Sequence, residues 1–196
     1  MSTKREITTR GVVVARAGLG EGSVRVFVYT EENGLIGALA KSAREERSKL
    51  RPHLQVGTFG RYTLVRGAYE WRMIGAFDTQ STYFLLADKK SAQQASARLF
   101  SVVRQLVRGE EKNSELLDVL WEFLNTLKML SDEEVRIAER LALVRILASL
   151  GYVAPRRDVP HLEGNMFDGA TLRALHPFEG RLMKTINDAL LASGLV

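Results

Sequence analysis

The sequence predicts an α+β chain in two parts, a five-stranded β-barrel followed by an all-helical region, on three observations. From Gly11 to about residue 77, runs of β-branched and aromatic residues are separated by turn residues at the spacing of short strands. Beyond Asp78 the spacing of apolar residues changes from two to between three and four, which marks amphipathic helices packed on one another. The charge changes at the same place. Residues 1–80 hold 13 Lys+Arg against 8 Asp+Glu, whereas residues 81–196 hold 15 of each, so the net charge of +5 lies wholly in the first part. Domains are therefore expected at 1–80 and 81–196.

The elements follow in order. Val12 to Ala17 reads as a first strand, ended by the turn glycines Gly18, Gly20 and Gly22, and Ser23 to Thr30 as a second with strict alternation. Asn33-Gly34 tolerates positive φ, so a tight hairpin leads into a third strand, Leu35 to Ala40. After a charged loop, Lys41 to Arg51, two longer strands are expected around Thr58 to Arg66 and Glu70 to Phe77. In the last of these, Trp71, Met73 and Phe77 are expected to face the core. Helices are predicted over Asp88 to Val107, from Ser114, and from Asp132, where Ser131 or Asp132 caps the first turn and Glu133 and Glu134 suit its dipole. Tyr152 to Gly169 reads as an irregular connection, followed by helices near Thr171 to Leu175 and Pro177 to Leu191. Trp121, Leu124 and Met129 belong to apolar stripes and are assigned to the helical core.

Composition excludes several classes of chemistry. The 196 residues contain no cysteine, which removes disulfide scaffolds, thiol nucleophiles and thiolate zinc sites and fits a reducing cytoplasm. No apolar run approaches a membrane span, and the polar start MSTKREITTR lacks the core of a secretory signal. His53, His161 and His176 lack the spacing that would place two on one metal, and the acid pairs Glu31-Glu32 and Glu45-Glu46 are adjacent rather than facing. After Gly18, Gly20 and Gly22 comes a strand, so the helix N-terminus of a phosphate-binding loop is missing. The chain is expected to be no enzyme and to hold no cofactor.

Binding chemistry is better represented. Lys41, Arg44, Arg47, Lys49 and Arg51 place five cations in eleven residues against two acids, at intervals that let a flexible segment follow successive phosphates. On the second strand Val24, Val26 and Val28 face one way, while Arg25, Phe27 and Tyr29 face the other. A cation beside two aromatic rings is the pairing that stacks bases and neutralises phosphate, so Phe27 and Tyr29 are candidate base-stacking residues. The same two rings would equally serve to pack against the helical domain, and Arg25 fits either arrangement. In the helical region a groove flanked by Arg104, Arg108 or Arg145 would suit an acidic-hydrophobic tail.

Five short strands, basic in character and followed by helices, suggest an OB-type barrel joined to a helical domain. The ordered pieces Arg10-Gly11-Val12-Val13-Val14, Gly20-Glu21, Thr30-Glu31-Glu32-Asn33-Gly34-Leu35-Ile36, Ala40-Lys41-Ser42-Ala43-Arg44 and Ser48-Lys49-Leu50 resemble the bacterial recombination mediator family RecO. Leu54-Gln55, Leu64-Val65-Arg66-Gly67 and Leu150-Gly151-Tyr152 continue the likeness. The resemblance implies a cytoplasmic, nucleoid-associated DNA repair and recombination protein that binds single- and double-stranded DNA and anneals complementary strands. It also implies assistance to RecA loading on SSB-coated DNA, with RecR and the SSB C-terminal tail as partners. Lys41, Arg44 and Lys49 fall in the family's basic segment, and Arg10 and Arg51 flank matching pieces, so these are implied phosphate contacts. Two departures stand out. Residues 153–169, where many members carry a four-cysteine zinc module, contain no cysteine, so no metal site is carried over, and Ser42 stands where glycine is usual. The alternative function is a protein-interaction adaptor whose barrel binds a partner protein rather than DNA, and a nuclease ranks far behind for want of a carboxylate or His cluster.

Overall fold

The computed structural model describes residues 6–107, 109–154 and 159–194. They form two compact units: one contains the chain up to Leu85 together with 109–113, and the other contains Leu86–Val107 and the chain from Ser114 onward.

In the first unit five strands, β1 (Glu6–Leu19), β2 (Ser23–Thr30), β3 (Gly34–Ala40), β4 (Thr58–Arg66) and β5 (Trp71–Ser81), join in the closed order β1-β2-β3-β5-β4. Closure comes from a short parallel pairing of Ala38 with Trp71 and Leu39 with Arg72; the other pairings are antiparallel. At 14 residues β1 is longer than predicted, because it serves two neighbours. Its first half pairs with β4 and its second half with β2, and a bulge at Val14 bends it between them. Gly11 leaves no room for a side chain between β1 and β2: a Cβ there would stand 2.6 Å from the Tyr29 carbonyl oxygen. Inside lie Val13, Val26, Val28, Ile36, Leu64 and their neighbours, with Tyr62 donating from its phenol to the Thr58 carbonyl at 2.8 Å. A short helix, α1 (Thr82–Leu85), follows β5.

Two core assignments are corrected. Phe77 is 42% exposed, because β5 shifts register between the pairs Thr63–Gly75 and Leu64–Met73. The extra residue, Ile74, breaks the alternation, so Trp71 and Met73 point inward but Ala76 takes the next inward place and Phe77 turns out. Met129 is 85% exposed, since the helix expected to carry it ends at Thr126.

The second unit holds α2 (Lys90–Leu106), α3 (Ser114–Thr126), α4 (Asp132–Ser149), α5 (Gly169–Leu175) and α6 (Glu179–Ala192). α4 touches each of the other four and buries residues around its whole circumference, as a central helix must. Ser131 and Glu134 close a reciprocal capping box at its start. Arg145, expected beside an open groove, is instead 4% exposed. Its guanidinium donates to the carbonyls of His161, Leu162 and Met166 and lies 4.8 Å from the centre of the Phe167 ring. Burial lowers its pKa to about 10, which still leaves it charged at neutrality. It therefore organises the irregular 159–168 segment rather than receiving a ligand. Arg104 lies on α2, and Arg108 is outside the described residues.

Candidate nucleic-acid interface

The basic segment after β3 is built onto the barrel rather than hanging from it. Ala43 and Leu54 are buried in the barrel core, Leu50 packs partly against it, and Pro52 starts a single 3-10 turn over Arg51–Leu54. The backbone N–H of Arg44 donates to the Gly22 carbonyl at 2.9 Å, and its guanidinium reaches the Gly20 carbonyl at 3.2 Å. The flexible loop expected from the charge run is thus a pinned one, because apolar residues among the cations need a core. Ser42 takes a positive φ of 52°, the conformation that glycine would adopt more readily.

This pinning shapes a cleft of about 580 Å³ at one mouth of the barrel. Val24 and Leu54 line it with Gln55, and Arg16, Arg44 and Arg51 are its cations. Arg16 is the residue that the sequence reading misses. The bulge at Val14 shifts β1 so that Arg16 pairs with inward-facing Val26 and stands on the inner side where the strand flares. Lys41, Arg47 and Lys49 are exposed on the same segment. Among the described residues none of these six cations forms an ion pair, so each keeps its capacity for an anion. Planar guanidinium groups suit phosphate oxygens in particular.

The other predicted residues lie elsewhere. Arg10 pairs with Glu31 at 3.4 Å and Arg25 with Glu70 at 2.8 Å, both at the surface. Phe27 is half-buried, with its ring 3.4 Å from where a Cβ on Gly37 would stand. Tyr29 faces away from the valine row, as predicted, yet has no exposed surface. Residues 109–113 account for this. The Tyr29 hydroxyl donates to the Asn113 carbonyl at 3.0 Å, and the N–H of Leu35 donates to the Gly109 carbonyl at 3.2 Å. Glu110 accepts from Arg66 and, at 2.8 Å, from the Trp71 indole N–H. The strap thereby covers the part of β3 that β5 leaves unpaired. Burial, with Glu111 adding to it, pushes the Tyr29 phenol pKa well above its usual value. In this arrangement the Tyr29 ring has no face open to a base. No signal near Tyr29 in the sequence announces a cover that arrives some 80 residues later.

No group of three or more His, Asp or Glu side chains suited to a metal ion occurs among the described residues, and no described helix is long and apolar enough to cross a membrane.

Comparison with known proteins gives a family likeness. Residues 1–72 match the family described as Recombination protein O N terminal. The chain is 25% identical over 148 residues to the DNA repair protein RecO of Acetivibrio thermocellus, an alignment covering 74% of this chain and 57% of that protein. It is 25% identical over 184 residues to that of Dehalococcoides mccartyi, covering 93% and 70%, and 27% identical over 146 residues to that of Gloeothece citriformis, covering 74% and 51%. The likeness to RecO is thus shown by a family match at the N-terminus and by relatives along most of the chain. The aligned region spans about half to two-thirds of the length of these relatives.

Proposed function

We propose that the chain is a DNA-binding recombination mediator whose first unit is an OB-type barrel that grips phosphate backbones at its cationic mouth. The observation that carries this reading is the gathering of Arg16, Arg44 and Arg51 around one cleft, with Lys41, Arg47 and Lys49 beside it and no acid paired to any of them among the described residues. The names of the relatives support it. Non-specific binding to single and double strands follows from contacts to phosphate alone, since each neutralised phosphate releases counterions whatever the sequence. Annealing needs two backbones neutralised together, which a dense cluster of unpaired cations favours. Assistance to RecA on SSB-coated DNA, with RecR and the SSB tail as partners, is the role that the likeness to RecO suggests. The chemistry is binding rather than catalysis, and Arg10, Arg25 and Phe27 are peripheral to the cleft.

The test is affinity for unrelated oligonucleotides, single- and double-stranded, at two ionic strengths. Binding should weaken steeply as salt rises. Replacing Lys41, Arg44, Arg47 and Lys49 by Ala should weaken all sequences alike and flatten the log–log salt slope by up to about 3 for a single strand. Undetectable binding at low salt would refute the reading and leave a protein-interaction adaptor in its place.

A further inference from the structure

The outer face of β1, β4 and β5 carries a row of side chains away from the barrel mouth. Arg10 pairs directly with Arg61 across β1 and β4, and Arg61 with Phe77 across β4 and β5. Directly opposed residues share a face, so these three side chains stand side by side, about 5 Å apart from strand to strand. All three are exposed. The adjoining row on the same face is Thr8, Thr63 and Gly75, with the two threonine hydroxyls 3.1 Å apart. It is polar, and Gly75 adds no side chain to it.

Two features of this row lack a structural purpose. Like charges directly opposite each other destabilise a sheet, and while Arg10 has Glu31, Arg61 has no ion pair or side-chain hydrogen bond among the described residues. Phe77 likewise makes no ring contact among them, although it is presented between two irregularities of β5, the shift at Ile74 and the one beside Asp78, whose φ is 51°. The barrel thus holds out an aromatic ring next to an uncompensated guanidinium. A bound phosphate would relieve the Arg10–Arg61 repulsion, and an unpaired base would cover the ring.

We propose that this face is a second nucleic-acid site, specific for single strands, in which Phe77 stacks a base and Arg61 holds the adjoining phosphate. The inference rests on the DNA-binding reading above and adds to it a surface that tells unpaired from paired strands. Stacking on an aromatic side chain needs a base freed from its partner, whereas the mouth cations bind any backbone.

The experiment compares the full chain with Phe77→Leu, Phe77→Tyr and Arg61→Ala, using a thymidine oligonucleotide and a duplex of equal length. Phe77→Leu keeps apolar bulk at an exposed position, and an unchanged melting temperature verifies the fold. It should weaken single-strand binding about tenfold and leave duplex binding unchanged, while Phe77→Tyr retains wild-type affinity. Arg61→Ala should weaken single-strand binding and lower its salt slope by about 0.7. Equal single-strand affinity of Phe77→Leu and the wild type, or an equal loss for both ligands, overturns the proposal and leaves this face to a protein partner. Absence of binding by the wild type to either ligand overturns the underlying DNA-binding reading as well.

Discussion

The two units put much of their charge to different uses. In the helical unit cations serve the fold: Arg98 grips Glu139 with two bonds of 2.5 and 2.7 Å, Arg136 and Arg140 converge on Glu179, and Arg145 ties three carbonyls together. In the barrel unit Arg16, Lys41, Arg44, Arg47, Lys49, Arg51 and Arg61 have no acid paired to them among the described residues. A charge already paired or buried has little left to offer a ligand, whereas an exposed, unpaired one adds little to stability and much to encounter with a polyanion. The sharpest way to break this contrast is to exchange the expected phenotypes. Arg145→Met should cost about 3 kcal/mol in denaturant unfolding, because it leaves three part-buried carbonyls without the donor that ties them together, and should leave the intrinsic DNA contacts of the barrel untouched. Arg44→Ala and Arg51→Ala should each change stability by less than about 0.5 kcal/mol while lowering DNA affinity. Comparable destabilisation in both sets would erase the distinction.

Helix caps sharpen the same comparison at smaller amplitude. Ser131→Ala removes the capping box of the central helix and should cost about 1 kcal/mol. Hydrogen bonds from the Ser131 backbone and side chain hold the Glu134 carboxyl below its usual pKa, and bonds from Thr171 do the same for Asp168 at the start of α5. With folded values lowered, the stability these groups contribute is present above the ordinary carboxylate range and fades as pH falls through that range into the lowered values, from about pH 4 downward. Titration followed by helical circular dichroism should show the loss, and Ser131→Ala should make it shallower. An unchanged acid profile in that variant would mean that Glu134 takes no part.

How far the molecule is legible in its sequence depends on whether the determinants are local. The Ser23–Thr30 strand, the Asn33-Gly34 turn and the Ser131 cap are read correctly because alternation, turn chemistry and capping act within a few residues. Arg16 and Phe77 escape for one shared reason, a bulge that adds a residue and exchanges inner for outer positions downstream. Tyr29 and Arg145 escape for another. Their partners, Asn113 and the carbonyls of 161–166, lie outside their own elements, and neither periodicity nor charge pattern encodes such meetings.

Ser42 offers the smallest and most local test, within the barrel unit alone. Its φ of 52° places an L-residue in the left-handed region at the turn that holds Lys41 and Arg44, where the Glu45 N–H donates to the Ser42 carbonyl at 3.2 Å. That conformation costs an L-residue roughly 1–2 kcal/mol, and glycine would relieve it while losing up to about 1 kcal/mol to the greater freedom of its unfolded chain. Ser42→Gly should therefore stabilise the barrel by about 0.5 kcal/mol. It alters no charge, so the salt slope of DNA binding should stay as it is even though the turn carries Arg44 of the cleft and Lys41 beside it. A steeper or flatter slope would show that the turn's conformation, and not the number of cations alone, sets the phosphate contacts. That result would bring the barrel closer to the helical unit, where Arg98, Arg136, Arg140 and Arg145 are each held by partners in the fold.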